Sequence, residues 1–174
     1  MSTDVREQLQ RQATYLTLTG IFLALFGIFA GREQRSGQRL NLGPGEILLL
    51  CLAVFRGGRM IAWDHVTEPL RAPFAQTVPD SSGAGDTVEP RGTGAQQALG
   101  QLLSCPICSA TWVAAALVYG LRLFPGPARL MLAIFGAAGA AELANAAAEA
   151  LSWHGAAARQ QAGMRACRKN GSDY

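Results

Sequence analysis

Cys105-Pro106-Ile107-Cys108 sets two thiols three residues apart, the spacing in this sequence that matches a chemical motif most directly. At the start of a helix the two would share a face, where the positive end of the helix dipole can activate a thiol. Two chemistries suit that arrangement: thiol–disulfide exchange, and half of a zinc site. A closed zinc site takes about four ligands, and the residues left to complete one are Asp64, His65 and Cys167, or the same pair from a second chain. The competing expectation is that Cys105 and Cys108 are small, inert, reduced thiols, as most free cysteines are. Whether a metal binds is therefore left open, and no cofactor is expected.

A second group of residues owes its interest to where it falls. Arg56 and Arg59, and then Glu142, Asn145 and Glu149, interrupt long apolar blocks. Charges inside a membrane span are costly unless they find a partner, a wet cavity or the headgroups. Glu142 and Asn145 share a helical face at a spacing of three, so that face is expected to point into a bundle or toward a partner. Arg56 and Arg59 either snorkel to the headgroups or pair with Glu142. Counted along their helices, Arg56 and Arg59 lie about 18 and 22 Å from Pro44, and Glu142 lies about 22 Å from Pro127. The depths agree.

The elements that would hold these residues are apolar helices. Hydrophobic residues make up 49% of the 174-residue chain and charged residues 16%, with the apolar ones gathered in blocks. That is the pattern of a chain facing lipid. The uncharged run from Ala13 to Ala30 covers roughly 27 Å as a helix, close to the hydrocarbon thickness. It exceeds a usual signal-peptide core and lacks a good cleavage pattern, so a retained span is expected. Pro44 and Glu46 suit the first turn of a second helix, which runs through Arg56 and Arg59 to Trp63. Residues 64–99 read as a loop, amphipathic over Glu68 to Phe74 and mobile over Pro79 to Gly94. A third span opens at Pro106 with Cys105 as its cap. After Pro125-Gly126-Pro127 a fourth, rich in Ala, Leu and Gly, has small residues at Gly136, Ala140 and Ala144 that favour close helix packing.

The expected fold is all-α: an integral membrane bundle of about four transmembrane helices, with spans at 13–30, 44–63, 105–124 and 128–150. A polar tail (1–12) precedes this membrane domain (13–153), and a polar basic tail (154–174) follows it. Of the basic residues, Arg6, Arg11, Arg56, Arg59, Arg71, Arg91, Arg159, Arg165, Arg168 and Lys169 fall on the side of the termini, and Arg32, Arg35, Arg39, Arg122 and Arg129 on the other. The positive-inside rule then puts both termini and the 64–99 loop in the cytoplasm. The net charge of +3 is spread along the flanks of the blocks rather than gathered on one face, which argues against nucleic acid as a partner. The expected partners are the bilayer and a second copy or another membrane protein.

Three stretches carry a family resemblance. They are Phe55-Arg56-Gly57-Gly58-Arg59, then Trp63-Asp64-His65-Val66-Thr67-Glu68-Pro69-Leu70-Arg71-Ala72-Pro73-Phe74, and Leu103-Ser104-Cys105-Pro106-Ile107-Cys108 followed by Trp112. Together they resemble a bacterial membrane family of unknown function, domain-of-unknown-function family 1360, over about residues 44 to 124. The resemblance implies a small multi-pass membrane protein in which Asp64, Thr67, Pro69 and Arg71 occupy a loop motif. It supplies no activity. With no grouping of nucleophile, base and carboxylate in the sequence, a structural or assembly component of the bacterial cytoplasmic membrane is expected rather than an enzyme. A thiol-redox or metal-handling protein using Cys105 and Cys108 is the alternative, and a transporter subunit a weaker one.

Overall fold

The computed structural model describes residues 3–36, 40–81 and 85–170, with side chains described as far as residue 153. Six helices and one hairpin follow in the order α1 (Thr3–Ser36), α2 (Pro44–Trp63), a 3-10 turn (His65–Thr67), α3 (Glu68–Arg71), β1 (Ala75–Pro79), β2 (Asp86–Pro90), α4 (Gly94–Ser104), α5 (Pro106–Leu123) and α6 (Pro125–Asn170). The chain is thus mostly helical. Among the described residues three helices are long and apolar enough to cross a membrane: α1 over Asp4–Arg35, α5, and α6 over Pro125–Trp153.

Two differences from the sequence reading have physical causes. The fourth expected span, α2, does not meet that standard, because its 20 residues carry Glu46, Arg56 and Arg59. Nor is the fold purely helical. Within the expected loop, β1 and β2 pair antiparallel with Thr77 opposite Val88 and Val78 opposite Thr87. Those β-branched pairs are what an antiparallel ladder favours. The surrounding Gly, Pro, Ser and Asp mask so short an alternation.

Proline and glycine punctuate the helices. Pro44, Pro69 and Pro106 each stand in the first turn of a helix, where the missing N–H costs nothing. Glu46 reaches back to the Gly43 N–H at 3.2 Å to close the start of α2. Cys105 caps α5, its Sγ accepting from the Cys108 N–H at 3.4 Å.

α2 is the central helix. It runs parallel to α6, from an Arg129–Glu46 ion pair (3.2 Å) at one end to an arginine–Glu142 group at the other. α5 runs the opposite way and packs on α2's glycine pair. α1 lies beside α5 in the same direction, joined by an edge-on Phe22–Trp112 contact (5.4 Å between centroids) and a stacked Phe29–Tyr119 pair (4.0 Å). Ala53, Leu121, Ala128 and Leu132 form a small buried core, flanked by Leu49, Leu50, Leu117 and Phe135. Much larger apolar side chains, among them Leu16, Phe26, Leu48, Leu130 and Ile134, are exposed instead. Water penalises such a surface and lipid does not.

Candidate functional site

The end of the bundle reached by the C-terminus of α2 carries the densest polar structure. Arg71 is 2% exposed and is the largest fully buried side chain among the described residues. Its Nη1 donates to the Asp64 carbonyl (2.9 Å), the Ile61 carbonyl (3.3 Å) and Thr67 Oγ1 (3.2 Å). Its Nη2 donates to the Trp63 carbonyl and to Thr77 Oγ1, both at 3.4 Å. The last turn of any helix leaves carbonyls without intrahelical donors. Here one guanidinium supplies them, and its positive charge complements the negative end of the α2 dipole. Thr67 adds a hydroxyl donated to the Met60 carbonyl at 2.6 Å. The loop motif Asp64, Thr67, Pro69 and Arg71 is therefore a C-terminal cap: Asp64 ends α2, Pro69 starts α3, and α3 aims Arg71 back beneath the helix it closes. Arg71 Nε is buried without a hydrogen-bond partner.

A line of alternating charges continues from that cap onto α6. Asp64 Oδ2 accepts from Arg56 Nη2 at 2.5 Å. Arg56 Nε stands 3.8 Å from Glu142 Oε2, and Arg59 Nε pairs with Glu142 Oε1 at 2.5 Å. Arg59 also lies over the Trp63 ring, 4.5 Å from its centroid, and near Phe55 at 5.5 Å. Glu142 Oε2 is buried without a hydrogen bond, so the Arg56 charge is what compensates it. Asn145, grouped with these residues in the sequence, is exposed and takes no part. Asp64 does take part, although the sequence placed it in a loop; its side chain folds back along α2 toward Arg56.

Between the arginines, Gly57 and Gly58 turn to the other side of α2, against α5. A Cβ on Gly58 would sit 2.5 Å from the Pro106 carbonyl oxygen and 2.8 Å from the Ala110 Cβ. The Arg-Gly-Gly-Arg stretch thus holds α6 by charge and α5 by close contact. That contact seats the thiols. Cys108 is exposed and lines a cleft of about 280 Å³ with Tyr15, Thr19, Phe22 and Trp112, while Cys105 is half-buried and both are free thiols. Among the described residues no three His, Cys, Asp or Glu gather closely enough to hold a metal ion. His65 instead meets Glu68 at 3.2 Å. Cys167 lies outside the described side chains.

The hairpin and α4 complete this end. Gln96 Nε2 donates to the Pro73 carbonyl at 2.6 Å and Ser109 Oγ to the Leu102 carbonyl at 3.0 Å, so α4 is tied to the segment before the hairpin and to α5, while the Arg91 N–H donates to the Phe74 carbonyl at 2.7 Å and closes the open end of the hairpin. Tyr15 of α1 hydrogen-bonds Gln101. The hairpin's part in holding Arg71, through Thr77, had no signal in the sequence beyond the β-branched Thr77-Val78 and Thr87-Val88 pairs.

The comparisons with known proteins fall on this same region. A family model described as "Protein of unknown function (DUF1360)" matches residues 49–148. A relative from Bacillus subtilis (strain 168), "Sporulation protein YjcA", is 36% identical over 102 residues, which is 55% of this chain and 86% of that protein. No solved structure matches. The matched stretch begins inside α2 and ends just past Glu142 on α6, enclosing the Arg71 cap, the Asp64–Arg56–Glu142–Arg59 line and both cysteines, and the chain belongs to the DUF1360 family.

Proposed function

We propose that this protein is a non-catalytic membrane component whose capped end is a rigid platform for assembly with a second copy or another membrane protein. The observation that carries this reading is the Arg71 cap together with the charge line from Asp64 to Arg59. They fix the end of α2, the Glu142 level of α6 and the hairpin as one polar body at the end of an outwardly apolar bundle. In this reading α2 is a fourth span, shielded by α5 and α6, with its two arginines at headgroup level beside Trp63. The spans then alternate, the termini and residues 64–99 share the cytoplasmic face, and the basic residues on that face agree with the positive-inside rule. The relative's name attaches sporulation to that protein; for this chain it supports a role in bacterial cellular differentiation.

Labelling of Gly85→Cys and Asn170→Cys, in a background where the four native cysteines are serine, tests the arrangement. Neither site should react with a membrane-impermeant maleimide in intact cells, and both should react after lysis. Labelling of either in intact cells overturns it. Crosslinking from residue 89 on the hairpin in native membranes should trap a protein partner, and capture of lipid alone would count against a platform.

A second reading rests on Cys108, which is exposed in its cleft with Cys105 Sγ at its backbone N–H. In a platform both thiols stay reduced. Rapid alkylation in growing cells followed by mass spectrometry should find two free thiols, and a stoichiometric Cys105–Cys108 disulfide would favour redox exchange.

A further inference from the structure

The end of the bundle opposite the Arg71 cap has a feature that the platform does not use. Two neighbouring cavities open between α1 and α5 and share Phe29 and Arg122 as their common wall. One, of about 470 Å³, is lined by Arg32, Arg35 and Arg122 with Phe29 and Leu123. The other, of about 230 Å³, is a slot between Phe26, Phe29, Leu40, Val118 and Tyr119, bordered by Glu33. Helix-end electrostatics explain why arginines are tolerated here, since Arg35 and Arg122 stand in the last turns of their helices. They do not explain the convergence of three guanidiniums on one cleft, nor the apolar slot that runs into it.

We infer that this pair of cavities is a binding site for an anionic phospholipid, with the headgroup phosphate on Arg32 and Arg35 and an acyl chain in the slot beside the Phe29–Tyr119 stack. Position supports it. Both helices are apolar enough to cross a membrane, and both reach their ends at these arginines, which puts the cleft where hydrocarbon gives way to headgroups. Charge supports it as well. Arg32 and Arg35 are exposed and, three apart on α1, share one face. Among the described residues the one carboxylate at the site, Glu33, borders the slot rather than the cleft, and its Oε1 accepts the Leu40 N–H at 2.5 Å. The described lining of the cleft thus favours a phosphate and offers no carboxylate to a choline-type ammonium. Basic pockets between membrane helices recognise headgroups in this way, and planar guanidiniums grip phosphate oxygens in pairs. The stack, with rings 7° from parallel, gives the slot a flat rigid wall.

The site requires α1 and α5 to lie in a bilayer but not any particular sidedness, so its test is independent of the topology experiment. Full-length protein in a non-ionic detergent is mixed with phosphatidylglycerol, phosphatidylcholine or free glycerol phosphate, and bound molecules are counted by native mass spectrometry. One phosphatidylglycerol should be retained at least tenfold more tightly than phosphatidylcholine, with glycerol phosphate failing to bind at the same concentration. Arg32→Gln with Arg35→Gln should abolish the tenfold preference. Val118→Trp, which fills the slot, should weaken retention while leaving the arginines in place. The charge-neutral variant changes only exposed side chains, so it decides the matter even if Val118→Trp folds poorly. Equal retention by wild type and the double variant would make this ordinary boundary lipid, and binding of glycerol phosphate as tight as that of the lipid would make it a free-anion site; either overturns the inference.

Discussion

Arg71 shows how a single side chain can complete a fold. Its guanidinium serves three carbonyls and two hydroxyls drawn from α2, the residues that follow it and the hairpin, so no smaller or shorter donor can replace it. Arg71→Met fills much of the same volume but leaves buried carbonyls without donors, each costing about 1–3 kcal/mol. We expect this variant to fall apart in detergent at a temperature at least 10 °C lower, read by fluorescence-detected size exclusion, with Arg71→Lys intermediate. Glu142 poses a softer question, since Arg59 is 37% exposed and solvent or headgroups can replace part of its partner. Glu142→Gln and Arg59→Gln should each destabilise the bundle, and the double variant should cost less than the sum by about 1 kcal/mol. Strict additivity would show that the pair contributes nothing beyond its separate parts. The match in depth between Arg59 and Glu142 was legible because helix rise is regular. Asp64 was not, because its contact with Arg56 depends on how the chain leaves α2, and no periodicity encodes that.

At the scale of elements, close backbone approach decides which helix faces meet. Gly58 admits the start of α5, and a Cβ on Gly139 would press the Leu52 carbonyl of α2, whose carbon lies 3.0 Å away. Gly27 on α1 has nothing within 4 Å of that position. Gly58→Leu and Gly139→Leu are therefore expected to lower the melting temperature in detergent by several degrees. Gly27→Ala should be neutral or raise it, alanine gaining about 1 kcal/mol over glycine in a helix. Equal effects at the three positions would contradict the packing. Helix starts were readable in the sequence because Pro44 and Pro106 have one favourable place in a helix. The hairpin was not, since a five-residue strand offers two or three alternations and lies among turn-forming residues that suggest a loop. α2 shows the opposite difficulty: its charges lower its average apolarity, and only its neighbours reveal what they pair with.

Taken whole, the molecule is asymmetric along its length. One end is polar, hydrogen-bonded and closed; the other offers arginines around an open cleft; between them the outer surface is apolar. α6 outreaches its neighbours, with 46 residues against 20 for α2, and from Leu143 to Trp153 every residue is exposed. Truncation after Trp153 removes the stretch that follows this exposed run. The shortened chain should keep a melting temperature within about 2 °C of the full chain, well under the shift expected from losing a buried contact. A large loss of stability would mean that the end of α6 packs back on the bundle. Composition and block length made the long apolar helices legible, and these suggest a membrane location. They did not reveal which helix lies at the centre, because centrality comes from neighbours rather than from a helix's own hydropathy.

The spacing of the cap's partners along the chain has a consequence for biogenesis. Arg71 finds all its acceptors between Ile61 and Thr77, so its bonds can close as soon as the hairpin's first strand has left the ribosome. Glu142, by contrast, reaches Arg59 across 83 residues of chain and cannot engage until nearly the whole protein has been made. Short loops close early and long ones late. The cap is then a structure of the nascent chain and the Glu142 pair a latch of the finished one. Between the two, α2 waits with its own end sealed and its arginines unpaired on the α6 side, and the arrival of α6 is the step that completes the fold.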